Sequence, residues 1–165
     1  HLHSQEHFPD EKYAWHNLFL SCSYCNGKKS NLFNNILNPA QEPIESLIIQ
    51  ELDYLNKRAV FKSANVSLST ELQQTLSLLE RIFNGSHKMR KIKEERFFED
   101  FLSKMNAFQK AINNFLVTDN KQTRLALQEE LATDREFLGF KYWIIQSNPK
   151  LLCEFAKDII WNKTH

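Results

Sequence analysis

Between Ile92 and Phe115 the apolar side chains recur at helical intervals: Ile92, Phe97, Phe101, Met105, Phe108, Ile112 and Phe115. Residues three and four apart share one face of an α-helix, so this spacing predicts a long amphipathic helix from about Lys88 to Leu116. Such a helix needs partners, and the chain supplies them. Leu72, Leu76, Leu79 and Phe83 predict a helix capped by Ser67 or Ser69 and stopped at Asn84-Gly85. Leu125, Leu127 and Leu131 predict another from about Lys121 to Phe137, and residues 137–161 predict two short helices split at Asn148-Pro149. Three Gly and four Pro among 165 residues leave few breaking points and disfavour a turn-rich β-sandwich. Thirteen Phe within a 42% hydrophobic composition furnish a core and exclude wholesale disorder.

Strand signals are confined to short segments. Residues 44–53 and 57–63 read as a hairpin turning near Asn56-Lys57, and Leu18-Phe19-Leu20 reads as a short strand. Asn26 is placed to cap two helical turns over residues 26–35, and residues 36–43, with two prolines, read as a linker. The fold class expected is therefore α+β, mostly α.

The formal net charge is +1, which excludes a uniformly basic nucleic-acid coat protein but leaves room for a local basic site. The run from His87 to Lys93 holds five basic residues, counting the histidine, and no acid, and it is a candidate for phosphate contact as readily as a solvated helix start. No apolar run is long enough to span a bilayer, and no signal peptide is expected. Three cysteines make no disulfide framework, which points to a reducing, cytoplasmic compartment. The first residue is His rather than Met, which reads as a chain cut or processed upstream.

Chemistry-bearing residues crowd the front. Four of six histidines (His1, His3, His7 and His16) precede Asn17, and Cys22-x-x-Cys25 is followed by Asn26 and Lys29. Two thiolates on one knuckle are half of a tetrahedral zinc site. A thioredoxin-like redox pair is the other reading of CxxC, but the chain lacks the alternating strand and helix order that reading requires.

The order W-x-N-L-F-L-S-C-S-Y-C-N-G-K-K over Trp15–Lys29 resembles the HNH endonucleases, and most nearly the HNH subunits of Septu-type and retron-associated anti-phage systems. The likeness is specific over residues 1–33 and loose beyond. It implies a ββα-metal nuclease module over residues 1–38, N-terminally incomplete, with a hairpin and a helical, partner-binding domain over 39–165. It implies hydrolysis of phosphodiester bonds in DNA with Mg²⁺ or Mn²⁺, a structural Zn²⁺, and an ATPase partner. By position, Asn17 would orient the histidine loop, Asn26 would be a metal ligand through its side-chain oxygen, Lys29 would face a phosphate, and Cys22 and Cys25 would bind zinc. The general base is assigned first to His1, sixteen residues before Asn17, where Pro9 and Trp15 also fall into the family's register; His3, at fourteen, and His7, at ten and preceded by Glu6, are the alternatives. With His1, the acid that normally precedes the base and the upstream CxxC that completes the zinc site would lie before residue 1. A degenerate ββα scaffold that binds DNA or protein, and an RNA-targeting nuclease, are the other readings of the same residues.

Overall fold

A computed structural model describes residues 1–65, 67–85 and 91–161. The front of the chain carries two 3₁₀ turns, Pro9–Glu11 and Trp15–Asn17, and a helix α1 (Ser23–Lys29). A single helical turn α2 (Ile44–Leu47) leads into strand β1 (Ile48–Asp53), which pairs antiparallel with β2 (Arg58–Ser63) from Ile48↔Ser63 to Asp53↔Arg58. Five helices follow: α3 (Thr70–Phe83), α4 (Ile92–Val117), α5 (Lys121–Glu130), α6 (Leu138–Ser147) and α7 (Pro149–Phe155). The architecture is α+β and mostly helical, with one two-stranded sheet among the described residues. No helix among them is long and apolar enough to cross a membrane.

Local chemistry accounts for the elements that match expectation. Ser69 Oγ accepts the Leu72 N–H at 3.1 Å and caps α3, and Gly85, at φ +79°, lies just beyond its end. Asn148 Oδ1 accepts the Lys150 and Leu151 N–H groups, while Pro149 opens α7 at a position that needs no donor. In the hairpin turn, Asp53 Oδ1 accepts the Asn56 N–H at 3.0 Å and Lys57 takes a left-handed φ of 49°.

Five expectations are corrected. Residues 18–20 form no strand: one backbone bond, Leu2 N–H to Asn17 C=O at 2.9 Å, joins this part of the chain to the segment beside it, and one rung is not a ladder. The cap of the front helix is Cys22, not Asn26, because the Cys22 sulfur accepts the Cys25 N–H, and the helix ends early at Ser30, where φ is 49°. Residues 44–47 are helical because the Pro43 carbonyl gathers the Ser46 and Leu47 N–H groups and the Ser46 hydroxyl. Helix α5 stops at Glu130, where side chains take the carbonyls around its end: Arg135 Nε donates to Glu129, Lys141 Nζ to Glu130 and Trp161 Nε1 to Leu131. Ile92, expected in the α4 stripe, is 74% exposed, and Leu125 of α5 is likewise exposed. His87 to Arg90 of the basic run lie outside the described residues.

Phe83 is the hub of the core. Its ring lies 5.0–5.9 Å from those of Phe61, Phe97, Phe101, Phe137 and Phe140, which binds β2, α3, α4 and α6 around one centre. Phe98, Phe101, Phe108 and Phe115 then run buried along α4. Each full burial of such a ring contributes about 1.5–3 kcal/mol. This row, rather than any surface ion pair, sets the position of α4.

The front is fastened to this body by polar contacts. Tyr24 stacks on Phe97 at 4.6 Å and its hydroxyl donates to the Ile82 carbonyl at 2.7 Å. The Leu37 N–H donates to Thr75 Oγ1 at 2.9 Å. Lys28 of α1 pairs with the buried Glu94 of α4, and the other Glu94 oxygen accepts the Lys91 N–H at 2.7 Å. Burial pushes the Glu94 carboxyl up, but the Lys28 hydrogen bond, the Lys91 N–H and the charges of both lysines outweigh it and hold the carboxyl below the usual range. A depressed carboxyl contributes stability that is present above its unfolded pKa of about 4.3 and is lost as pH falls through the lower folded value. Glu94→Gln leaves the partly buried Lys28 without its counter-charge and is expected to cost about 2–3 kcal/mol in urea melts at pH 7. The deficit relative to wild type should shrink below pH 4, which the same melts in acid would show.

Candidate functional site

Asn17 closes the second 3₁₀ turn and is fully buried at 0% exposure. Its side-chain amide uses both ends on backbone. Oδ1 accepts the His3 N–H at 2.6 Å, and Nδ2 donates to the His3 and Glu11 carbonyls, each at 3.1 Å. One amide thus holds two separate stretches of loop in register without help from a sheet. A buried amide with its donors and acceptor satisfied favours one loop conformation, since any other leaves polar groups unpaired at about 1–3 kcal/mol each.

The loop so held presents His3. Its Nδ1 lies 2.6 Å from Glu11 Oε2, and the Phe8 ring stacks on its imidazole with centroids 4.8 Å apart. An ionised carboxylate only accepts, so Nδ1 carries the hydrogen and Nε2 keeps its lone pair in the neutral ring. Both side chains are about one-third exposed (32% each). Nε2 has no partner among the described residues and is free to take a proton.

The other two candidate bases are arranged differently. His1 Nε2 lies 2.9 Å from the Lys12 carbonyl, which can only accept, so this nitrogen carries the hydrogen; Gln5 Nε2 lies 3.2 Å from Nδ1. His7 Nδ1 lies within 3.0 Å of Ser4 Oγ and 3.3 Å of the donor Asn34 Nδ2, which leaves the hydrogen of the neutral ring on Nε2. Glu6, the acid beside His7 in sequence, accepts instead from Asn31 Nδ2 at 2.5 Å. Glu11 and Phe8, the residues that orient His3, carried no signal in the sequence. Their spacing from His3 matches no regular element, because a loop brings them together.

On α1 the two thiols differ. Cys22 is exposed, and its sulfur accepts the Cys25 N–H at 3.3 Å. The partial desolvation of Cys22 would raise its pKa, but the hydrogen bonds from Cys25 and the neighbouring backbone win and lower it. Cys25 is half-buried against the core; burial first, then its partner's hydrogen bond and charge, push it up to about 12. Asn26 is exposed on the next turn. Lys29 is half-buried, makes no ion pair among the described residues, and has its pKa lowered by desolvation. No three His, Cys, Asp or Glu among the described residues converge as a metal-holding group, so Cys22 and Cys25 offer two of the four ligands of a structural zinc.

No family model matches the chain, and neither the curated proteins nor the solved structures include a match to it.

Asn17→Ala is expected to lower stability by about 2–3 kcal/mol in denaturant melts, since it strands backbone groups of His3 and Glu11. Hydrogen exchange at the His3 amide should accelerate more than exchange within α4. Iodoacetamide is expected to modify Cys22 well before Cys25 at pH 8, with peptide mass mapping as the readout, because only Cys22 has appreciable thiolate there.

Proposed function

We propose that this protein is an HNH-type endonuclease that hydrolyses phosphodiester bonds in DNA, with His3 as general base. The observation that carries the reading is the His3–Glu11 pair on a loop pinned by the buried Asn17, ahead of Cys-x-x-Cys-Asn-x-x-Lys on α1. Hydrolysis requires a water stripped of its proton beside the phosphorus. Neutral His3 accepts that proton at Nε2, and Glu11 stabilises the imidazolium that forms and keeps the ring from turning. Asn17 touches no substrate; it positions His3 through the loop. Lys29, poorly solvated and without a carboxylate partner among the described residues, offers charge to a phosphate.

Asn26 would contribute one oxygen to a Mg²⁺ or Mn²⁺ ion, which when bound supplies charge stabilisation at the phosphate and leaving oxygen. The two thiols are too few for a complete zinc site, and no step is assigned to zinc. Residues 39–165 fit the part of a partner-binding body, and the resemblance supports an ATPase partner in a cytoplasmic, bacterial anti-phage complex. The sparse metal-ligand set favours one second reading, a ββα-derived scaffold that binds DNA without cutting it.

Plasmid cleavage in Mg²⁺ or Mn²⁺ tests the assignment. EDTA should abolish it and added metal restore it. His3→Ala should reduce the rate by about 10²-fold or more, and Glu11→Gln by less, while His1→Ala and His7→Ala retain activity. Equal cleavage by His3→Ala and wild type would remove His3 from the role, and no cleavage by any of them would leave the scaffold reading.

A further inference from the structure

The start of α4 and the outer side of α1 enclose a groove of about 840 Å³ that the nuclease reading does not use. Lys28, Arg81, Lys91 and Lys93 line it, with Glu94 as its one acid and Gly27 on its rim. Glu94 is already committed to Lys28 and to the Lys91 N–H, so its charge is cancelled inside the wall. Arg81 and Lys93 make no salt bridge among the described residues, and Lys91 acts on Glu94 through its charge without forming one. The Arg81 Nε is shut off from solvent and finds no acceptor among them. Lys91 and Lys93 also stand at the N-terminal end of a 26-residue helix, where the backbone dipole repels cations. Such an arrangement costs folding free energy in the free protein. An anion laid along the groove would relieve the repulsion.

We infer that this groove binds the phosphodiester backbone of the DNA that the proposed nuclease site cuts. Its open form and its three cations without a salt bridge among the described residues suit a run of phosphates better than one small anion, and lysine-rich walls read charge without reading sequence. The choice of DNA rests on the nuclease reading; the cationic groove itself does not. Lys28, placed between Glu94 and the groove, fixes the wall on which these cations stand and is not counted as a contact.

Fluorescence anisotropy of a labelled duplex, read over a salt series with the 165-residue chain, tests the inference. Lys91→Gln/Lys93→Gln should weaken binding equally for unrelated sequences and flatten the slope of log K against log salt by about 0.9 for each phosphate no longer neutralised. Gly27→Glu places a carboxylate on the rim where a new Cβ meets nothing within 4 Å, so it should weaken binding without disturbing packing. Lys121→Gln/Lys157→Gln removes the same charge from exposed positions elsewhere and should leave the slope unchanged. His3→Ala should bind as wild type does. Groove variants that bind like wild type, a control that weakens as much as they do, wild-type chain that does not bind DNA, or an RNA duplex bound more tightly than DNA would each overturn the inference. Groove-dependent binding with no cleavage by any form would leave the groove standing and remove the nuclease reading. Cleavage with unaltered binding in the groove variants would do the reverse.

Discussion

The carboxylate of Glu94 is the contact on which the placement of the front depends. It is buried where α1 and the first turn of α4 meet, and one oxygen faces each: Lys28 on one side and the Lys91 N–H on the other. Beside them stands Gly85, where a Cβ would come within 2.7 Å of the same carboxylate, so even the second residue after α3 is shaped to admit it. Removing two charges from water costs several kcal/mol apiece, and this cost is offset only when both are paired with good geometry. The pair therefore contributes less to net stability than to specificity. Any docking of α1 that separated the charges would leave one of them buried and alone.

The apolar core works by the opposite logic. The rings around Phe83 and the buried face of α4 exclude water without directing any one contact, and they tolerate no gap of a methyl group without loss. Nothing chemical is placed in this core. The reactive side chains sit on loops and on the short α1, at the edge of the core or outside it, and are held largely by hydrogen bonds, with Phe8 stacked on His3 and Cys25 packed against the core. This division fits a rigid scaffold that carries loops whose geometry is set by a few satisfied polar groups. Asn17 does for the His3 loop, through hydrogen bonds, what Phe83 does for the helices through packing.

The helical body was largely legible because its signals are local. Leu72 with Phe83, Phe101 with Met105 and Phe108, and Leu127 with Leu131 each share a face whatever the rest of the chain does, and each proves buried. The serine cap of α3, the break at Asn148-Pro149 and the hairpin turn at Lys57 follow from side chains acting on nearby backbone. The misses fall where a distant group decides. Helix α5 ends early because Trp161, thirty residues away, takes the Leu131 carbonyl. Leu18 to Leu20 have the residue types of a strand but no adjacent ladder to join. In the candidate site, Asn17 was singled out from its place in the motif, and its buried amide holds the His3 backbone. Residue spacing favoured His1, whereas the Glu11 carboxylate and the Phe8 ring are gathered around His3.

By itself, then, the sequence determined most of the helix faces, the serine cap of α3, the hairpin and the motif order from Asn17 to Lys29, because these depend on residues a few positions apart. Tertiary structure alone decided which imidazole keeps a free Nε2, that Lys28 is committed to Glu94, and that Arg81, Lys91 and Lys93 line one groove whose single carboxylate, Glu94, is already taken by Lys28 and the Lys91 N–H. The physical reason is the same in each case. A proton's location, or a charge's availability, is set by the nearest partner in space, and here those partners come from other turns and other elements of the chain.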